Sequence, residues 1–223
     1  MCEPCLRKGR RLPMRPFDSA FTQTFLRAYQ DGVMQYSYRG IACLRSPIDM
    51  AIQARAIWDL EPGTVIEIGS HAGGSALWLA DLLQCYGFGT PVHSIDVTPP
   101  ALQDDRIIFI EGDVTNLWPA FERHGLHEAP RPWFVLEDSA HTHACCLAAL
   151  NFLAQHMVSG DLLVMEDGLL DELGVSERYQ GGPNRAIAEF MANAPGMFEI
   201  ARQYCDMFGQ NATYAPNGYL KKI

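Results

Sequence analysis

Two short acidic endings carry the strongest chemical signal in this sequence. Val135-Leu136-Glu137-Asp138 and Val164-Met165-Glu166-Asp167 each close an apolar run with a Glu-Asp pair. If the two runs are neighbouring strands, their carboxylates crowd one edge of a sheet and repel unless they are protonated or bridged by a cation. Hard oxygen ligands with room for water suit magnesium, which takes few carboxylates and keeps several waters. Each acid alone reads as an exposed strand-end residue or a helix cap. The near-identical endings favour a shared metal site of Asp138, Glu166 and Asp167. Glu137 is set aside because neighbouring residues on a strand point to opposite faces. His141 follows Asp138 by three residues, where a loop or a first helical turn brings it back beside the acids. A lone histidine is more often structural. Beside three acids it is a candidate general base, because imidazole titrates near neutral pH. His143 is either a helix-start residue or a substrate contact.

A second constellation lies upstream, in Glu67-Ile68-Gly69-Ser70-His71-Ala72-Gly73-Gly74-Ser75. Glycines here permit a sharp turn and let a ligand approach the backbone closely. A helix after the turn offers unpaired N–H groups at its start. The spacing fits the dinucleotide fingerprint poorly, which disfavours a nicotinamide oxidoreductase. Glu67 before the turn would repel a pyrophosphate and suits a ligand bearing an amino group and a sulfonium. Asp96 can accept from two ribose hydroxyls and Asp113 from an adenine amino group. A single Asp after a strand is ordinary turn chemistry. Acids recurring in order after successive strands point to a nucleoside site. Its candidate contacts are Glu67, Gly69, Ser70, His71, Gly73, Ser75, Asp96, Asp113 and, at its metal side, Asp138.

The elements that must position these residues alternate. Strands are expected over 64–68, 92–97, 106–110, 133–136 and 161–165, with two further β-like segments near 197–205 and 212–222. Helices are expected over 17–35, 49–60, 75–85, 143–157 and 183–193, with an aromatic, basic loop over 36–40. Ile52, Ala56 and Ile57 share one helical face, as do Leu77, Ala80 and Leu83. Apolar strands separated by helices imply an α/β fold with a parallel sheet covered on both faces. Such sheets bind ligands at the carboxyl ends of their strands, near the switch point in strand order.

Composition excludes several classes. With 223 residues, 48% hydrophobic and 19% charged, the chain suits one folded domain. Seventeen basic residues against 26 acidic give a net charge of -9, without the basic face that nucleic-acid binding uses. Arg7, Lys8, Arg10, Arg11 and Arg15 form one basic cluster, read as a solvated tail. No secretory signal and no apolar run of spanning length is present, so a cytoplasmic, non-membrane protein with reduced cysteines is expected. Cys2 and Cys5 form a CxxC with no partner pair for zinc. Cys145 and Cys146 read as helix core.

Taken together, Val65-Ile66-Glu67-Ile68-Gly69, Gly73-Gly74-Ser75-Ala76-Leu77-Trp78, Ile95-Asp96, Glu111-Gly112-Asp113, Glu137-Asp138-Ser139, Gly160-Asp161, Glu166-Asp167-Gly168 and Asn217-Gly218-Tyr219-Leu220 resemble the CmcI-like family, labelled "cephalosporin hydroxylase". Tyr38, Gly40, Pro47 and Asp49 also match, so the resemblance runs from about Tyr36 to the C-terminus. It implies a Rossmann-like class I methyltransferase fold, with a mostly parallel seven-stranded sheet and an antiparallel C-terminal strand. It implies S-adenosylmethionine held by Glu67, Gly69, Asp96 and Asp113, Mg²⁺ held by Asp138, Glu166 and Asp167, and His141 as base. The activity implied is O-methylation of a small molecule, a sugar or polyol in natural-product or antibiotic biosynthesis. A homo-oligomer is implied, with residues 1–40 as a tail and helical segment serving as lid or oligomer contact, and 41–223 as the catalytic domain. Tyr36, Tyr38 and Arg39 either line the acceptor pocket or simply pack the N-terminal segment. Segments 98–105 and 169–183 are expected to choose the acceptor. Two rivals stand beside this reading. One is a non-haem iron oxygenase built on Asp138, His141 and His143. The other is a cofactor-binding partner subunit without catalysis.

Overall fold

The computed structural model describes residues 15–223. Cys2, Cys5 and the basic residues 7–11 lie outside the described residues. In chain order the elements are α1 (Gln23–Val33), β1 (Ser37–Tyr38), β2 (Ile41–Ala42), α2 (Pro47–Leu60), β3 (Thr64–Ile68), α3 (Gly74–Cys85), β4 (Val92–Asp96), β5 (Ile107–Glu111), α4 (Trp118–Arg123), β6 (Trp133–Glu137), α5 (His143–His156), β7 (Leu162–Met165), α6 (Gly182–Asn193), β8 (Phe198–Ile200), α7 (Arg202–Cys205) and β9 (Tyr219–Lys222).

Seven strands form one sheet in the order β5-β4-β3-β6-β7-β9-β8. Pairings from β5 to β7 are parallel, and β9 runs antiparallel to both β7 and β8. This is the α/β, Rossmann-like class I methyltransferase fold expected from the sequence, with its antiparallel C-terminal strand. Alternate residues of each strand serve opposite faces. Ile66, Val135 and Leu163 pack with Leu150 and Leu153 of α5 and Ile187 and Phe190 of α6. Val65, Leu136 and Val164 pack with Ile52, Ala56 and Ile57 of α2 and Leu77 and Leu83 of α3. Among the described residues, no helix is long and apolar enough to cross a membrane.

Strand order reverses between β3 and β6, and there the register sets the site. Ile68 pairs with Glu137, and Glu137 pairs with Met165. Gly69, Asp138 and Glu166 therefore leave three adjacent strands at one level. The Asp138 N–H donates to Ile68 O at 2.8 Å and the Glu166 N–H to Glu137 O at 2.9 Å.

Three expectations need correction. The segment near 197–205 is a strand only to Ile200, after which α7 turns the chain. In the segment near 212–222, only Tyr219–Lys222 is strand. Asn211 and Asn217, at φ 47° and 53°, cannot continue an extended backbone. Their buried amides instead bond carbonyl oxygens of Arg15, Pro16 and Asp18. Residues 36–40 are not a free loop but part of the β1–β2 hairpin.

Candidate active site

The glycine turn after β3 wraps a carboxylate. Asp96 Oδ2 accepts from the N–H groups of Ser70 at 2.8 Å and His71 at 3.0 Å, and its Oδ1 accepts from Thr98 N at 2.9 Å. Gly69 at φ 107°, His71 at φ 46° and Gly73 at φ 87° make the turn. Gly73 caps α3 with no side-chain bond, leaving the helix N–H groups open. Asp113 Oδ1 accepts from Thr115 N and its hydroxyl, both at 2.8 Å. The Thr115 backbone bond, then the hydroxyl bond, hold this carboxyl below its usual range.

These groups line one cavity of about 1180 Å³, with Gly69, Ser70, His71, Ser75, Asp96 and Asp113 in its wall. Single ligand pockets commonly measure roughly 300–1,000 Å³, so this volume suits two reactants together. Glu67 and Gly73 stand behind the wall. Glu67 is fully buried and takes bonds from the hydroxyls of Ser75 and Ser94. Burial raises its pKa, opposed by Arg45 and the two serines. A Cβ on Gly73 would meet Leu102 at 3.0 Å and Phe109 at 3.1 Å, so this glycine seats the turn on β5.

At the other end of the cavity lie Asp138, His141 and Asp167. One ligand atom from each falls within 4.8 Å of the others. His141 Nε2 is 3.4 Å from Asp167 Oδ2 and 3.8 Å from Asp138 Oδ1. Glu166, expected beside them, is not in that group and does not line the cavity; it is buried next to Asp138 and held from behind. Its Oε1 accepts from Arg45 Nη1 at 2.5 Å and from the Gln53 amide. Arg45 Nη2 also donates to Asp138 Oδ2 at 3.2 Å and stands 3.7 Å from Glu67 Oε1. Burial disfavours the Arg45 charge, but Glu166, Asp138 and Glu67 outweigh it and raise the guanidinium above its usual value. Burial raises Asp138 and Glu166 well above the carboxylate range, against the pull of Arg45, and Asp167 adds to both. One guanidinium thus faces three acids, with Asp167 a fourth beside Asp138 and Glu166. The residual negative charge, on oxygen donors beside a cavity, fits a hard divalent cation.

The sequence profile described as "Rhamnosyl O-methyltransferase/CmcI" matches residues 30–223. The chain belongs to this family. Its members here are class I S-adenosylmethionine-dependent methyltransferases. The chain is similar to the rhamnosyl O-methyltransferase of Mycobacterium leprae (strain TN), 36% identical over 193 residues that cover 82% of each protein. It is also similar to that of Mycobacterium bovis (strain BCG / Pasteur 1173P2), 30% identical over 190 residues covering 82% of this chain and 77% of the relative. Among solved structures, CmcI with Mg and SAM aligns over 99% of this chain and 89% of its own, at TM-score 0.67 and 24% identity. That likeness concerns the fold.

Within this family site, the N-terminal candidates divide. Tyr36, Tyr38 and Arg39 do not line the cavity. The β1–β2 hairpin carries Tyr38 and Arg39 to the outer side of α3, where both bond Asp81 at 3.0 Å. For Tyr38 and Arg39 the contacts seen are those of the packing alternative. His143 begins α5 and its Nε2 contacts Glu189 Oε2 at 2.9 Å. The two-histidine, one-carboxylate set of an iron oxygenase is therefore not assembled. The cavity wall instead includes Arg27, Gln30, Asp31 and Met34 of the α1 segment, with Arg178 and Tyr179. Arg178 and Tyr179 fall in the 169–183 segment expected to choose the acceptor, but sequence reading missed the α1 residues and Arg45. The spacing 27, 30, 31, 34 is a helical face, but its polar character gave no sign of which side faced a ligand. Arg45 precedes the helix cap Ser46 and carries no motif.

Proposed function

We propose that this chain transfers the methyl group of S-adenosylmethionine to a sugar hydroxyl, with a divalent cation, Mg²⁺ foremost, at the acid cluster. One observation carries the reading. A single cavity joins the Gly69–His71 turn, Asp96 and Asp113 at one end to Asp138, His141 and Asp167 at the other. The mycobacterial relatives' names support a rhamnosyl acceptor, and the two-reactant volume agrees with a glycoside.

In this reading Asp96 and Asp113 hold the nucleoside of the cofactor, and the Ser70 and His71 backbone shapes its seat. Asp138, Asp167 and the free oxygen of Glu166 hold the cation. Bound there, a divalent ion polarises a hydroxyl and lowers its pKa, while the sulfonium supplies an activated methyl. His141 Nε2 accepts the hydroxyl proton as the new O–C bond forms and the C–S bond breaks, releasing S-adenosylhomocysteine. Leu169, Leu170 and Tyr179 also line the cavity, with the Tyr179 ring 6.2 Å from that of His141. Holding both reactants in one cavity supplies the proximity that a bimolecular methyl transfer lacks in water.

The test is calorimetric titration of S-adenosylmethionine and S-adenosylhomocysteine into the full chain, with Mg²⁺ and with EDTA. Turnover is then assayed on p-nitrophenyl α-L-rhamnoside. One-site binding that Asp96→Ala abolishes, followed by EDTA-sensitive methylation of the rhamnoside, is the expected result. No cofactor binding under either condition would overturn the reading.

A further inference from the structure

Arg45 lies between β2 and α2, is 2% exposed, and reaches the ends of three strands. Its contacts are selective for individual oxygens. Nη1 and the Gln53 amide both donate to Glu166 Oε1. Nη2 donates to Asp138 Oδ2, while Asp138 Oδ1 faces His141 Nε2. Each acid therefore has one oxygen occupied by a buried, fixed donor; the other oxygen of Asp138 is left toward the cavity it lines, and that of Glu166 is left free of the two donors. Gln53 is itself fully buried and accepts from Arg45 Nη1 at 3.1 Å, so the donors brace each other. A carboxylate held in this way can offer a metal a single oxygen. Ca²⁺ takes six to eight oxygens and often binds carboxylates through both, whereas Mg²⁺ is satisfied with six and keeps waters.

We propose that Arg45 and Gln53 form a positioning clamp that leaves Asp138 and Glu166 one unclamped oxygen each to offer a metal. The clamp selects a small six-coordinate cation over Ca²⁺ and leaves coordination positions for acceptor hydroxyls. The inference rests on the divalent-cation reading above. A buried lysine would supply the same charge but not the two-pronged reach, because the planar guanidinium serves two acids at fixed angles.

The experiment measures Mg²⁺ and Ca²⁺ affinities by calorimetry on the EDTA-treated full chain and on Arg45→Met, Arg45→Lys and Gln53→Ala. Thermal unfolding with each cation gives a second readout, since stabilisation follows affinity. Wild type is expected to prefer Mg²⁺. Arg45→Met and Arg45→Lys shift the Ca²⁺/Mg²⁺ preference toward Ca²⁺ by about tenfold or more, the scale of one charge-assisted hydrogen bond. Gln53→Ala shifts it the same way by less. If Arg45→Met does not fold, the other two variants carry the test. A wild type that prefers Ca²⁺, or a ratio unchanged in Arg45→Lys and Gln53→Ala, overturns the clamp. A wild type that binds neither cation removes the divalent-cation reading itself, and the clamp with it.

Discussion

A Cβ added to Gly69 would fall 2.1 Å from the carbonyl oxygen of Asp138. The cofactor turn and the acid cluster are thus in direct backbone contact at the switch point of the sheet. Gly69→Ala must push β3 and β6 apart, and it also places a side chain at φ 107°. Gly160 is the natural control, with φ 101° and nothing within 4 Å of an added Cβ. Gly160→Ala should lose only the backbone term, roughly 1–3 kcal/mol. Gly69→Ala should lose more in urea unfolding, and cofactor affinity besides. Equal losses in the two variants, with cofactor binding intact, would show that the contact is soft.

His141 sits at φ 54°, an uncommon backbone for a non-glycine residue, and this conformation turns Nε2 toward Asp167 and Asp138. In the proposed base role it would touch the acceptor and not the cofactor. His141→Ala is expected to lower turnover by about 10²- to 10⁴-fold while S-adenosylmethionine affinity stays the same. Single-turnover rates with calorimetry on the same sample separate the two. Unchanged turnover would end the base assignment. Lost cation affinity would reassign His141 as a ligand.

The sheet was legible because its signals are local. Four of the five parallel strands are short, mostly apolar runs, and Ile52, Ala56 and Ile57 or Leu77 and Leu83 repeat with helical period into one buried cluster. The acids were legible because Asp96, Asp113, Asp138, Glu166 and Asp167 all follow strands whose order the fold dictates. Arg45 was not, since its partners lie 93 and 121 residues away and only the folded sheet brings them together. Tyr38 and Arg39 carried a misleading signal. An aromatic and a basic residue suit a pocket, but the hairpin that holds them points to Asp81. The 212–218 part of the segment expected to be β-like near 212–222 is not strand for a related reason. Side-chain amides of Asn211 and Asn217 replace the ladder bonds that its apolar residues suggested.

Away from the site, Arg106 holds Asp104 down to about 2, chiefly through its side-chain hydrogen bond. A carboxylate depressed in the folded state adds stability that is present above its unfolded value, near 3.8, and lost as pH falls through the folded value. Asp104→Asn should therefore be less stable than wild type at pH 6, with the gap closing between about pH 4 and pH 2. Chemical unfolding at several pH values checks this. A gap that stays constant across the window would mean that Asp104 acts through its backbone turn alone.

Acceptor recognition should belong to α1 rather than to the hairpin that follows it. Leu26 and Val33 bury one side of the helix with Leu169 and Tyr214. The Tyr214 hydroxyl bonds Gln30 at 2.7 Å, and the Tyr29 hydroxyl accepts from Ile48 N at 3.2 Å. The helix is therefore a fixed wall, and Arg27 and Asp31 share its cavity side with Gln30. Their planar side chains can donate to and accept from sugar hydroxyls in pairs. Replacing Arg27 and Asp31 together by Ala should raise the KM for a rhamnoside acceptor about tenfold, the scale of one or two such bonds, with cofactor affinity unchanged. Tyr38→Phe and Arg39→Ala, which disturb only the Asp81 contacts, should leave that KM where it is. The opposite pattern in steady-state kinetics would return acceptor binding to the hairpin and make α1 a structural strap.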